Sequence, residues 1–168
     1  MISSGYHDSF LFDSCAIAML WDRELQQKRW AFQAQDVLHK VCEVVCYEVF
    51  QQRASRQGNG VRERFEKYLR DKKLEFVERS IEDCHVTANL AVAVREDLKG
   101  LLDEQRQKER FRVLYHDILI AGLALSRGNS VFTDDPVDWE YLQEVVAKNY
   151  GTFGKVLNVV SRETLLDR

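Results

Sequence analysis

The chain alternates short apolar runs with longer segments whose apolar residues recur at helical spacing. Ser9-Phe10-Leu11-Phe12 reads as a buried strand, closed by Asp13 and Ser14. A helix follows from about Cys15 to Trp21, with Ile17, Ala18 and Leu20 turned inward. Residues 22 to 36 mix polar and aromatic side chains and read as helix. His39 to Cys42 reads as a second strand and Glu43 to Arg56 as a helix. At about 100° per residue, Val41, Val44, Val45 and Val49 share one arc. Glu48 lands inside that arc, whereas Glu43 lands beyond it, beside Tyr47 and Phe50.

Val61 to Lys73 reads as a charged helix with Phe65 and Leu69 on its inner side, and Leu74 to Val77 as a third strand. Ser80-Ile81-Glu82-Asp83 has the form of a capping box. The helix it opens would keep Ile81, Cys84, Ala88, Ala91, Val94, Leu98 and Leu101 on one face. The polar run Asp103 to Arg110 ends or bends that helix. The next one runs from about Leu114 to Arg127, with Ile120, Ala121 and Ala124 as its stripe and Asp117 in its first turn. Gly122 in mid-helix predicts close approach of another backbone. Gly128 is suited to ending the helix, and Arg127 to its last turn. Ser130 to Thr133 reads as a fourth strand, followed by Asp134, Asp135 and Pro136, with Pro136 suited to starting a helix. That helix, Val137 to Lys148, turns Trp139, Leu142 and Val145 or Val146 inward. Lys155 to Val160 reads as a last strand and 161 to 168 as a tail.

Strands alternating with helices imply an α/β fold, a mostly parallel sheet with helices on both faces. At 168 residues, with a single proline and eight glycines, the chain reads as one domain, 1–168, without a flexible linker. No apolar run approaches the ~20 residues that span a bilayer, and the start lacks the pattern of a signal peptide. The expectation is a cytoplasmic protein with no membrane partner. A net charge of −3 gives no global attraction to nucleic acid, so such binding would need a local basic patch or a bound metal. The cysteines Cys15, Cys42, Cys46 and Cys84 lie in apolar surroundings. Cys42 and Cys46 could share a helix face, but no further ligands sit at zinc spacing, so free buried thiols are expected.

In a parallel sheet the site lies at the carboxyl ends of the strands. Asp13 closes the first strand, and Asp134 and Asp135 close the fourth. Taken singly, Asp13 reads as a helix cap, Asp135 as part of a helix start with Pro136 and Asp138, and Asp117 as a first-turn dipole residue. Glu48 has no such plain role, because a carboxylate on an apolar face is costly unless paired or bound to metal. Four acids in one cleft call for compensation, which Mg²⁺ or Mn²⁺ provides through carboxylate oxygen. One or two such ions can support phosphodiester cleavage.

FLFDSCAIAML resembles the opening strand and first acidic residue of the PIN-domain nucleases, often LLDTNVLI. VVCYEVF is similar to their helix carrying the second acid, and HDILIAGLALSRGNSVFTDDPVDWEYL to their DALIAATALxxGxxLVTxDxxDF. The resemblance covers roughly residues 9 to 160. It implies a three-layer α/β/α fold with sheet order 3-2-1-4-5. It also implies metal-dependent endoribonuclease activity with Mg²⁺ or Mn²⁺, as in VapC-type toxins. Carried over, the four acids are Asp13, Glu48, Asp117 and Asp135, with Asp134 as an alternative fourth. Asp138 matches the family's structural aspartate, with Trp139 in place of Phe. Ser14-Cys15 stands where the family has Thr-Asn, so Ser14 keeps the hydroxyl and the amide is lost. RNA as substrate, an antitoxin protein as partner and a homodimer are likewise implied by resemblance.

Around this set, His116 reads either as a structural histidine or as a phosphate contact. Arg62 and Lys67 on the basic helix could touch phosphates, or belong to a solvated face laced by i, i+4 pairs. Trp21, Trp30 and Trp139 are core or interface residues, and aromatic surface around Trp30 and Phe32 could take a partner helix. A non-catalytic PIN-fold module that binds RNA or protein is the rival reading. A haloacid-dehalogenase-like phosphatase would want an acid where Cys15 stands. A receiver domain would want an acid paired with Asp13 and another after the third strand, where Glu78-Arg79 stands.

Overall fold

The structure, a computed structural model, describes residues 10–21, 39–57 and 60–161. The readings for 22–36, including Trp30 and Phe32, and for the tail beyond Ser161 lie outside the described residues, as do the side chains of Leu20 and Trp21. In chain order the elements are β1 (Phe10–Phe12), α1 (Ser14–Trp21), β2 (Lys40–Cys42), α2 (Glu43–Gln57), α3 (Val61–Asp71) and β3 (Glu75–Val77). There follow α4 (Ile81–Leu101), α5 (Glu104–Arg127), β4 (Ser130–Thr133), α6 (Val137–Lys148), the short α7 (Tyr150–Phe153) and β5 (Val159–Ser161). The strands form one sheet in the order β3-β2-β1-β4-β5, every pair parallel. Parallel neighbours need long crossovers, which the helices supply as the outer layers of an α/β/α sandwich.

The central strands are short and apolar because they are covered on both faces. Leu11, Phe12, Val41, Cys42, Val131 and Phe132 are all buried. Phe12, Phe132 and His39 meet in the middle, with Phe12 and Phe132 edge to face at 5.3 Å and Phe12 and His39 at 4.8 Å. α6 buries Trp139, Leu142, Val145 and Val146, the stripe its sequence predicts. No helix among the described residues is long and apolar enough to cross a membrane.

Two helices differ from their sequence reading. The polar run 103 to 110 does not bend α4; it is the first turns of α5, which begins at Glu104, ten residues before the Leu114 start read from the sequence. The Asp103 side chain accepts from Arg106 N and caps it, and Lys108 bridges to Glu104 at 2.7 Å. Asp117 is therefore mid-helix, and the dipole of a first turn does not account for it. On α4 the inner face holds Asp83, Thr87, Leu90, Val94 and Leu98, whereas Ile81, Cys84, Ala88 and Leu101 are exposed. The cause is Asp83, which closes the capping box with Ser80 and takes a bidentate hydrogen bond from Arg127 (2.7 Å at its shortest). That pair joins the start of α4 to the end of α5 and turns the polar Asp83 inward, only 1% exposed.

Gly122 fulfils its expectation. A Cβ there would lie 2.2 Å from Thr87 Oγ1 and 2.6 Å from Thr87 Cα, so α4 and α5 touch backbone to backbone. Gly128 ends α5 in the left-handed region at φ 67°. The cysteines are all free, but only Cys42 is buried and Cys46 half-buried, while Cys15 and Cys84 are exposed, which corrects the expectation of four buried thiols.

Candidate active site

The parallel register sets the site. Phe12 pairs with Phe132, so Asp13 and Thr133 leave the sheet side by side at its carboxyl edge. Asp13 N donates to Phe132 O at 3.1 Å, which extends the ladder by one step and turns the Asp13 side chain under α1. Its Oδ1 accepts from Ala16 N at 2.7 Å, so Asp13 is indeed the cap of α1. Its Oδ2 accepts from Trp139 Nε1 at 3.1 Å, and Thr133 adds a side-chain hydrogen bond. The carboxylate is 3% exposed. Burial pushes it up to about 6, against the pull of those three donors, and the charge of Glu48 adds to the rise.

Asp117 reaches the same place from α5. Burial is again the largest cause of its rise to about 7, and the charges of Asp13, Asp138, Glu48 and Asp135 all push in the same direction. Its carboxylate makes no hydrogen bond or ion pair among the described residues. Asp138 is the fifth acid in the neighbourhood, and Arg110 pairs with it at 2.7 Å. Glu48 projects from α2 and is 19% exposed; its Oε1 meets His116 Nδ1 at 2.5 Å, not an arginine. The arginine of that region, Arg79, pairs instead with Glu43 at 2.7 Å and donates to Leu119 O.

Asp135 and Asp134 are both exposed after β4. Asp135 does not cap α6, whose cap position holds Pro136 with no side-chain bond. Its backbone N–H is held instead by Thr133 Oγ1 at 3.0 Å, which fixes the turn out of β4. The Cys15 residue is exposed overall, but its thiol is partly covered and is pushed up to about 12, first by that covering and then by the charges of Asp13, Asp135, Asp117 and Glu48. These four carboxylates come from four separate segments of the chain.

Ser14 is buried beside Asp13. Arg62 pairs with Glu66 at 2.7 Å on the outer face of α3, and Lys67 is exposed on that helix, so the structure brings neither to the acids and favours the solvated-face reading. Two residues of the site went unrecognised in the sequence as such. Thr133, fully buried, bonds both Asp13 and the turn of Asp135; its signal was a hydroxyl at the very end of a strand that delivers an acid. Trp139, read as core or interface, is core and also donates to Asp13; its signal was an indole N–H that must find a partner when buried.

Among the described residues, no three carboxylate, imidazole or thiol side chains are already gathered into a finished metal-ligand group. The chemistry of the set is nonetheless that of a hard divalent cation. Its donors are carboxylate oxygens, and Asp13 and Asp117 are held up first by burial and then by neighbouring acids.

No protein-family profile and no curated protein matches the chain. Solved structures do. A chain of VapBC2 from Rickettsia felis, bound to a DNA fragment from their promoter, superposes with a TM-score of 0.62 at 12% identity, over 90% of this chain and 97% of that one. A chain of DNA-bound VapBC from Salmonella typhimurium gives a TM-score of 0.54 at 14% identity, over 91% and 97%. At such identities the likeness is one of fold. With the sheet order it shows a PIN-like α/β/α architecture.

Proposed function

From this PIN-like fold we propose that the protein is a metal-dependent endoribonuclease that hydrolyses RNA phosphodiester bonds, and that it serves as the toxin of a toxin–antitoxin pair. The observation that carries the reading is Asp117, which has no hydrogen bond or ion pair among the described residues and lies within reach of the charges of Asp13, Glu48 and Asp135. A carboxylate left without a compensating charge is costly to a fold, and a bound cation would relieve that cost. Asp13, Glu48, Asp117 and Asp135 would hold Mg²⁺ or Mn²⁺. When bound, such an ion supplies an activated water and charge stabilisation for phosphodiester cleavage. Trp139, Thr133 and the Ala16 N–H orient Asp13 beforehand. Ser14 and His116 would contact a substrate phosphate. The toxin setting and an antitoxin partner are proposed from the fold shared with the VapBC chains, and a homodimer from the resemblance to the PIN-domain family.

Cleavage of a mixed RNA pool with Mg²⁺, Mn²⁺ or EDTA tests the reading, using wild type and Asp117→Asn. The expected result is cleavage by wild type with metal only, and none by the variant. Undiminished cleavage by the variant would refute the assignment. The absence of a ready-made ligand group among the described residues favours a second reading, a PIN-fold module that binds RNA without cutting. RNA binding indifferent to Mn²⁺ and EDTA is its signature.

A further inference from the structure

Of the four acids, Glu48 is the one gripped by a side chain from the helix that carries another of them. His116 Nδ1 meets Glu48 Oε1 across 68 positions of sequence, joining α2 to α5 one residue before Asp117. A carboxylate only accepts, so Nδ1 carries the proton of this contact. The ring itself is steadied. Tyr47 stands at its edge, centroids 6.1 Å apart and planes at 78°, and Tyr115 lies at 6.2 Å on another side. The bond occupies one oxygen of Glu48 and leaves the second for another partner.

We infer that His116 is a positioning residue, whose Nδ1–H locks the Glu48 carboxylate against α5 so that Glu48 and Asp117 face the same divalent cation. This rests on the metal-dependent reading above. The physical reason is that a glutamate has three rotatable bonds, and an unrestrained one spends most of its time elsewhere. Partners that orient a ligating carboxylate contribute roughly 10–100-fold in metal affinity. Without His116, α2 offers Glu48 no other fixed donor among the described residues.

Mn²⁺ alone is the probe, and the loss of its free-ion EPR signal on titration gives the affinity directly, without RNA. Four proteins are compared with wild type: His116→Ala, His116→Gln, His116→Asn and Asp117→Asn. The asparagine amide nitrogen falls close to the position of Nδ1 and can keep the bond to Glu48, whereas that of glutamine falls close to Nε2 and cannot. The His116 side chain is 38% exposed, so all three substitutions leave the core intact, and melting curves verify it. The expected result is Mn²⁺ affinity weakened roughly 10–100-fold in the Ala and Gln proteins and restored to near wild type in Asn. Unchanged affinity in Ala and Gln would overturn the inference and leave the metal reading standing. So would affinity kept by Gln and lost by Asn, since the outer nitrogen would then be the working one. Wild type that binds Mn²⁺ no better than Asp117→Asn would overturn the metal reading itself, and this inference with it.

Discussion

Replacing Asp117 by Asn should make the metal-free protein more stable while removing its response to metal. Asp117 stands near 7 in the fold against 3.8 as a free side chain. Below about pH 4 it is protonated folded and unfolded and contributes nothing. Between about pH 4 and pH 7 it is protonated only in the fold, and the penalty for folding grows as pH rises, reaching its full size above 7. At about 1.4 kcal/mol per pH unit, the full penalty is about 4 kcal/mol at pH 8 and under about 2 kcal/mol at pH 5. Relaxation and solvent around a half-buried group reduce the first figure, and a gain of about 2 kcal/mol in the Asn protein is the expectation. For a chain of this size that is a rise of about 4–8 °C in Tm. Thermal unfolding in EDTA at pH 8 and pH 5 measures it, and adding Mn²⁺ should then raise Tm for wild type only. No gain at pH 8, or an equal gain at both pH values, would refute the claim that uncompensated charge burdens this site.

Other outcomes follow from the packing. Gly122→Ala drives a Cβ into the Thr87 backbone and should cost about 2–3 kcal/mol, seen as a lower urea midpoint; a neutral effect would mean that α4 and α5 part easily. Arg127→Gln strips the buried Asp83 carboxylate of its partner and should cost about 3 kcal/mol at pH 7. The guanidinium holds Asp83 far below the usual carboxylate range, so wild type gains that stability above about pH 4 and loses it as pH falls further. The Gln protein should lack this acid slope, and an unchanged slope would assign it elsewhere. Trp139→Phe keeps the packing and removes the N–H on Asp13, so the Asp13 carboxyl should titrate above its present value of about 6 by carbon NMR; an unmoved titration would show that the indole bond carries no weight.

The strands and most of the helices were legible because they depend on local patterns, whereas the sheet order came with the resemblance to the PIN-domain nucleases, and the structure has that order. A short apolar run ending in an acid, and a glycine after a helical stripe, announce themselves in a few residues. What was not legible depended on partners far away. Asp83 lies inside α4 because Arg127, 44 residues on, meets it, so a face drawn from Ile81 and Cys84 was rotated. The run 103 to 110 is too polar to read as helix by burial, yet its cap at Asp103 and its Lys108–Glu104 bridge suffice. That extension moved Asp117 from a helix start, where charge is welcome, to mid-helix, where it is not. The partner of Glu48 was open for the same reason: His116 and Glu48 become neighbours only through the fold.

The register between β1 and β4 has a consequence for the order of events during synthesis. β1 is made first and lies at the centre of the sheet, but its neighbour β4 arrives more than a hundred residues later. Asp13 acquires its Thr133 and Trp139 partners only when that late segment has emerged. A growing chain therefore carries Asp13 long before its partners exist, and a product that stops short of residue 139 lacks the Trp139 bond. Closing so long a loop is slow compared with local helix formation, so the Asp13 carboxylate should acquire its full set of donors late in folding rather than gradually.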